Sequence, residues 1–209
     1  VKSWHNSTRT VQTEAGVIKI VSVTSPEVLE ALSIDIMMKA FRPAKRQKEA
    51  LVEISRLEDG KVTTAQLDGE IIGYVTFHPP DSFQRWSQGP DNVLELGAIE
   101  VAPRFRNTKI GVQMLEVSFE DERMNDFIVL TTEYYWHWDL EGTGMHVWEY
   151  RDVMRRIMEH IGMEVKDTDE EEICSHPANI LMARYGENVP EKMIRSFDDL
   201  LFMDGFGIL

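Results

Sequence analysis

The stretch VLELGAIEVAPRFRNTKIGVQML, from Val93 to Leu115, constrains the fold more than any other, because it reads as a strand, a basic turn and a helix start in direct succession. Leu94, Leu96, Ile99 and Val101 suit a buried strand, Pro103 cannot continue its ladder, and Ile110, Met114 and Val117 take up helical spacing. The first N–H groups of a helix have no intrahelical partner and carry the positive end of its dipole, so this turn reads as an anion cradle. Arg104, Arg106 and Lys109 add three cations to it, in a chain with 36 Asp+Glu against 22 Lys+Arg. The stretch has neither the Gly-x-x-x-x-Gly-Lys-Ser/Thr of a P-loop nor the Gly-x-Gly-x-x-Gly of a dinucleotide turn. An ordinary strand-turn-helix with solvated arginines would carry the same residues, and both readings stand at this point.

Composition bounds the rest. With 209 residues and 43% hydrophobic content, the chain can form one sizeable core, so a single domain over 1–209 is expected, with 186–209 as a C-terminal extension. Cys174 is the only cysteine, which excludes an intrachain disulfide and makes a reducing, cytoplasmic setting the expectation. No apolar run approaches the roughly 20 residues that span a bilayer. Val1 to Thr10 has no signal-peptide core, so no membrane association is expected. The formal charge of −14 argues against nucleic acid as a partner and favours a lysine-bearing one, although acidity also serves solubility alone. His137, His146 and His176 with Cys174 show no ligand-like spacing, so no metal site is expected.

The remaining elements alternate. Val17 to Val23 reads as a first strand, Ser25-Pro26-Glu27 opens a helix, and Gln47 to Leu57 continues the helical layer. Val62–Leu67 and Glu70–Phe77 form a hairpin across Asp68-Gly69, ended by Pro79-Pro80. Residues 81–92 read as a loop and Phe127 to Thr132 as a strand. Val147, Tyr150, Met154, Ile157 and Ile161 give a helix that stops at Gly162. Met163–Val165 and Asn179–Tyr185 close the sheet as a strand pair, with Asp167–Glu172 a solvated loop between them. Pro190-Glu191 starts a last helix with Ile194, Phe197 and Leu201 on one face, packed on its own domain or offered to a partner. Phe202 to Leu209 is an apolar end.

Val101-x-Pro103-x-x-Arg106, followed by Gly111 and an apolar helix, resembles the coenzyme A pyrophosphate loop of the GNAT N-acetyltransferases, whose usual form is Arg-x-x-Gly-x-Gly/Ala. The resemblance implies an α/β (α+β) GNAT fold, a mixed and mostly antiparallel central sheet flanked by helices on both faces. Lys109 stands where the family has a glycine, chosen there because backbone approaches phosphate closely. A lysine fits if its φ is negative and its ammonium turns to the ligand; otherwise it points into water. The segments Phe41-Arg42-Pro43, Glu95 to Val101, Leu130 to Asp139, Gly142-Thr143-Gly144, Val147 to Arg151 and Ser175 to Asn179 extend the match over most of the chain. They resemble a GNAT subfamily of acetate and acetoin metabolism, which implies a protein lysine acetyltransferase that inactivates acetyl-CoA synthetase. Self-association is left open.

That resemblance implies the site. Arg106, Asn107, Thr108, Lys109, Ile110, Gly111 and Val112 would offer N–H groups to the pyrophosphate of acetyl-CoA, and Ile99, Glu100 and Val101 would hold the pantetheine arm and thioester. Glu95 and Glu100 both match positions of a general base, needed because a free lysine has a pKa of about 10.4. Glu95 is preferred; Glu133 or water alone are alternatives. In a regular strand their odd spacing puts Glu95 and Glu100 on opposite faces, unless a bulge near Gly97 intervenes. The family's general-acid tyrosine position is Met158, and no general acid is assigned. Tyr134, Tyr135 and Trp136 are expected to line an acceptor groove or to fill a satellite core. Two other classes share this cofactor loop: a small-molecule amine acetyltransferase, and a regulator that binds acetyl-CoA or the synthetase without transfer.

Overall fold

The structure is a computed structural model and describes residues 3–203. Two compact units divide the chain, one of residues 1–78 and 96–124, the other of 79–95 and 125–209.

In the first unit, β1 (Thr8–Thr13), β2 (Gly16–Val21), β4 (Lys61–Leu67), β5 (Glu70–His78) and the later part of β6 (Val93–Val101) follow one another across the sheet. The short β3 (Ser33–Ile34) adds in parallel to β5. β1 was not expected from the sequence. Its TRTVQT segment buries no residue and shows no apolar alternation, so only its antiparallel pairing with β2 makes it a strand. The β4–β5 hairpin turns at Asp68 (φ 49°) and Gly69 (φ 82°), the positive-φ pair that a tight two-residue turn demands. α1 (Pro26–Ala31) starts where Ser25 caps the Val28 N–H, with proline in the first turn. α2 (Ala44–Ser55) begins three residues before the expected Gln47.

α3 (Ile110–Phe119) buries Ile110, Met114 and Val117, the stripe read from the sequence, and Leu115 beside them. Its far end is anchored by polar groups. The fully buried Lys61 donates from Nζ to the Ser118 carbonyl at 2.6 Å, and Thr63 and Ser118 share a hydroxyl hydrogen bond of 2.7 Å. Burial pushes the Lys61 ammonium down to about 8, against the pull of Asp121. Arg9 of β1 grips the outer side of α3 through Glu116 (2.5 Å) and Glu120 (2.7 Å).

In the second unit, the first three residues of β6 pair in parallel with β7 (Ile128–Glu133), which pairs antiparallel with β9 (Ile180–Tyr185), and β9 with β8 (Glu164–Lys166). α4 (Leu140–Thr143) and α5 (Val147–Glu159) follow β7, and Gly162 (φ 81°) ends the turn after α5. The acidic segment is not wholly a loop: Glu170 caps the Ile173 N–H and starts the one-turn α6 (Glu171–Cys174). α7 (Glu191–Leu201) packs on its own unit, where Phe197 meets Trp86 with ring centroids 5.8 Å apart and joins a core with Val93, Ile128, Leu130 and Leu181. From residue 204 on, the apolar end lies outside the described residues. Among the described residues no helix is long and apolar enough to cross a membrane.

Candidate active site

The turn between β6 and α3 keeps the shape the sequence suggests but reassigns its charges. Arg104 is exposed but paired: its Nε donates to Asp35 Oδ2 at 3.0 Å, its NH2 to Glu70 Oε2 at 2.5 Å, and its guanidinium lies over the Phe105 ring at 4.9 Å. One of the three loop cations is thus committed to holding the β3 end. Thr108 turns its hydroxyl back to the Phe105 carbonyl at 2.5 Å and closes the loop on itself.

Lys109 does not meet the condition of its ligand-facing reading. Its φ is +63° and its ψ 12°, so it adopts the left-handed conformation of the glycine it replaces rather than a negative φ. Its side chain is exposed. Asn107 is also left-handed, at φ 64°. A left-handed Lys109 followed by right-handed Ile110 turns successive N–H groups to one side, the arrangement of an anion nest. No side chain caps α3 and no acid occupies its first turn. The first N–H groups of α3 therefore have no side-chain cap.

Gly111 faces β6. A Cβ there would stand 3.6 Å from Val101 Cγ2 and 3.7 Å from Ile99 Cδ1, so Ile99 and Val101 lie on the α3 side of the strand. A Cβ on Gly97 would instead come within 2.4 Å of His78 Nε2. His78 shares its side of β5 with Tyr74, whereas Phe77 on the other side meets Phe119 of α3. Gly97 and Glu100 thus lie on one side and Ile99 and Val101 on the other, so the two-residue alternation slips between Gly97 and Ile99. The slip falls where the sequence left room for a bulge near Gly97.

The two glutamates differ in their surroundings. Glu100 is buried; its Oε2 accepts from the Tyr74 hydroxyl at 2.5 Å and its Oε1 from the Ala40 N–H at 2.9 Å. Oε1 fixes the backbone at Ala40 and Oε2 ties the carboxylate to Tyr74 of β5, which suits a positioning group better than a base. Burial and the Glu100 charge push the Tyr74 hydroxyl well above its usual range, against Arg42. Tyr74 was read only as part of a strand; a tyrosine in an apolar strand signals a buried hydroxyl partner. Glu95 is also buried, opposite Leu130 in the parallel β6–β7 register.

The aromatic run divides. Trp138 is buried, stacks on Tyr150 (5.3 Å, 15°) and donates from Nε1 to Glu133 Oε2 at 3.3 Å. It belongs to the satellite core. Trp136 is 49% exposed and stacks on Tyr134 (4.6 Å, 12°), while Tyr135 lies on His176 at 4.2 Å. Asn179 ties this turn to β9 by accepting from the Tyr135 N–H at 3.0 Å. Burial pushes the Glu133 carboxyl up to about 7, against hydrogen bonds from Trp138 and Thr131. Met158, the matching position of the family's tyrosine, is fully buried. Among the described residues no group of three His, Cys, Asp or Glu side chains comes together to hold a metal.

Comparison with known proteins agrees with this geometry. The profile of the acetyltransferase (GNAT) family matches residues 32–135. The acetoin utilization protein AcuA of Bacillus licheniformis is 46% identical over 206 residues, 98% of this chain and 97% of its own. The crystal structure of an acetoin utilization protein from Exiguobacterium sibiricum matches with a TM-score of 0.95 at 45% identity, over 98% of each chain. The yncA protein of Salmonella typhimurium, solved with its cofactor acetyl-CoA, shares the fold at a TM-score of 0.50 and 12% identity, over 87% of this chain and 94% of its own. Near-complete coverage by the AcuA relatives, together with the loop and strand geometry, identifies the chain as an acetyltransferase: it belongs to the AcuA family of GNAT enzymes.

Proposed function

We propose that the enzyme transfers the acetyl group of acetyl-CoA to a lysine side chain of a protein, and that this protein is acetyl-CoA synthetase, which the transfer inactivates. The observation that carries the cofactor assignment is the uncapped start of α3 behind a left-handed Lys109. The backbone of Arg106 to Val112 would hold the pyrophosphate there, and Ile99, Glu100 and Val101 would line the pantetheine arm and thioester. The exposed Trp136, with Tyr134 and Tyr135, offers large amphipathic rings to the acceptor. The metabolic setting rests on the acetoin utilization named by the relatives.

The chemistry requires a neutral amine. An ammonium ion must lose a proton before its nitrogen attacks the thioester carbonyl, and the coenzyme A thiolate then leaves with the C–S bond electrons. Glu95 is the proposed base, at the buried strand position where the family resemblance puts one, and Glu100 is read as holding Tyr74 and Ala40. A backbone N–H of Ile99 to Val101 would stabilise the oxyanion.

The reading is tested by comparing kcat/KM for acetyl-CoA synthetase with those for free polyamines, amino acids and aminoglycosides. A preference for the synthetase of at least about a hundredfold is expected, since contacts around the lysine add binding energy that a free amine lacks. Faster acetylation of a free amine would assign the enzyme to small-molecule acetylation.

A further inference from the structure

β1 ends the sheet in the first unit, with β2 on one side and, among the described residues, no strand on the other. Its pairing with β2 shows which backbone groups are left over. The Ser22 N–H donates to the Ser7 carbonyl at 2.9 Å, so these two form a hydrogen-bonded pair in the antiparallel register. Counting in twos, Arg9, Val11 and Thr13 direct their N–H and C=O groups to β2, while Thr8, Thr10 and Gln12 turn theirs to the open edge. The side chains of these three are exposed as well.

Sheets block such an edge with a very short strand, a lysine, a proline or a bulge, because a row of free donors and acceptors templates another strand. β1 has none of these. It runs through six residues, TRTVQT, in unshifted register with β2. Its one charge, Arg9, is turned onto α3 and neutralised by Glu116 and Glu120. By contrast β8, an edge strand of the second unit, has three residues, and Glu164 and Lys166 are two of them.

Register and charge choose the occupant. A second β1, running antiparallel about a two-fold axis at Thr10, sets Thr8 against Gln12 and Gln12 against Thr8. This is the one two-fold register that pairs all three outward residues, with threonine facing threonine at its centre. The chain carries a net charge of −14, yet no Asp or Glu precedes Glu14, so the strand brings no carboxylate of its own to the contact. We infer that two copies of the chain pair through β1 about a two-fold axis at Thr10, joining their sheets edge to edge. The contact leaves acetyl-CoA free to bind: Arg9 reaches α3 at Glu116 and Glu120, near its end, and the loop proposed for the pyrophosphate lies at its start. The pairing does not depend on which acceptor the enzyme uses.

Sedimentation equilibrium of the full chain tests this against Thr10→Lys, and cross-linking in a Cys174→Ser background probes the axis. Wild type is expected to dimerise reversibly, and more tightly as added salt screens the −14 charge of each copy. Thr10→Lys sets two ammonium groups face to face and should raise the dimer Kd at least about tenfold, with the acetyl-CoA Kd and the thermal midpoint of the monomer unchanged. A short bis-thiosulfonate reagent should join Thr10→Cys to its copy, because hydrogen-bonded partners lie about 5.5 Å apart at Cα. Gln12→Cys, also exposed, should not be joined, since the other copy's Gln12 is four residues along the strands, roughly 13 Å away. A protein that stays monomeric at every concentration would overturn the inference. A dimer that Thr10→Lys leaves intact and that Thr10→Cys does not link would overturn it too, by placing the contact on another surface. Growth past the dimer would do the same, since β1 would then be adding to a different edge.

Discussion

The Tyr74 hydroxyl donates to Glu100 Oε2 at 2.5 Å, across two neighbouring strands and out of reach of solvent. The other carboxylate oxygen is taken by the Ala40 N–H, so the pair fixes the loop that ends at α2. Tyr74→Phe leaves one buried carboxylate oxygen unpaired and should destabilise the fold by about 1–3 kcal/mol. Urea unfolding measures this, and a loss under about 0.5 kcal/mol would show that the oxygen finds another partner.

Glu95 and Glu100 are separated by what each amide variant does. Glu95→Gln should lower kcat by about 10²–10⁴ with an unchanged acetyl-CoA Kd. Glu100→Gln should act mainly on stability, with kcat within about tenfold. The reverse pattern would move the base to Glu100.

Lys109 pays for its left-handed backbone. Lys109→Gly should stabilise the protein by up to about 1 kcal/mol, because the left-handed conformation costs an L-residue about 1–2 kcal/mol and glycine's larger unfolded entropy takes back part of it. If backbone N–H groups are the ligands, the acetyl-CoA Kd should stay within about threefold at moderate salt. A tenfold weakening would make the ammonium a phosphate ligand.

Gly111 offers a paired test. An added Cβ meets Ile99 and Val101 at ordinary contact distance, so Gly111→Ala should fold and gain up to about 1 kcal/mol from helix propensity. Gly111→Glu should fold too, yet lose acetyl-CoA binding, because it sets an anion among the N–H groups meant for phosphate. Unchanged acetyl-CoA affinity of Gly111→Glu by calorimetry would refute the placement of the pyrophosphate.

Glu133 gives a pH dependence with a definite sign. Its carboxyl is raised from 4.5 to about 7 on folding, so its contribution is fully present below about 4.5 and is lost as pH rises through about 7. Relative to Glu133→Gln, wild type should therefore lose up to about 3 kcal/mol between about pH 5 and pH 8. Parallel urea midpoints for the two proteins across that range would contradict a raised carboxyl.

Much of this was legible in local sequence. Asp68-Gly69 set the hairpin because its turn chemistry needs no distant partner, and the stripe from Ile110 set α3 because its burial follows from spacing. What escaped depends on partners far apart in the chain. Glu100 finds the Ala40 N–H across 60 positions, and Arg104 finds Asp35 across 69, so a loop cation became an anchor. The strand slip near Gly97, by contrast, was left open in the sequence by the glycine itself, where a Cβ would meet His78. Lys109 misled for another reason: an L-residue argues for negative φ, and the closed loop between Phe105 and α3 overrides that preference.

The central claim, acetyl transfer to a protein lysine, is tested most directly by intact and peptide mass spectrometry of acetyl-CoA synthetase incubated with the enzyme and acetyl-CoA, with Gly111→Glu and enzyme-free controls. The account predicts one enzyme-dependent acetyl group on a single lysine, accompanied by loss of synthetase activity and absent in both controls. An unmodified synthetase, from an enzyme that still binds acetyl-CoA, would contradict it.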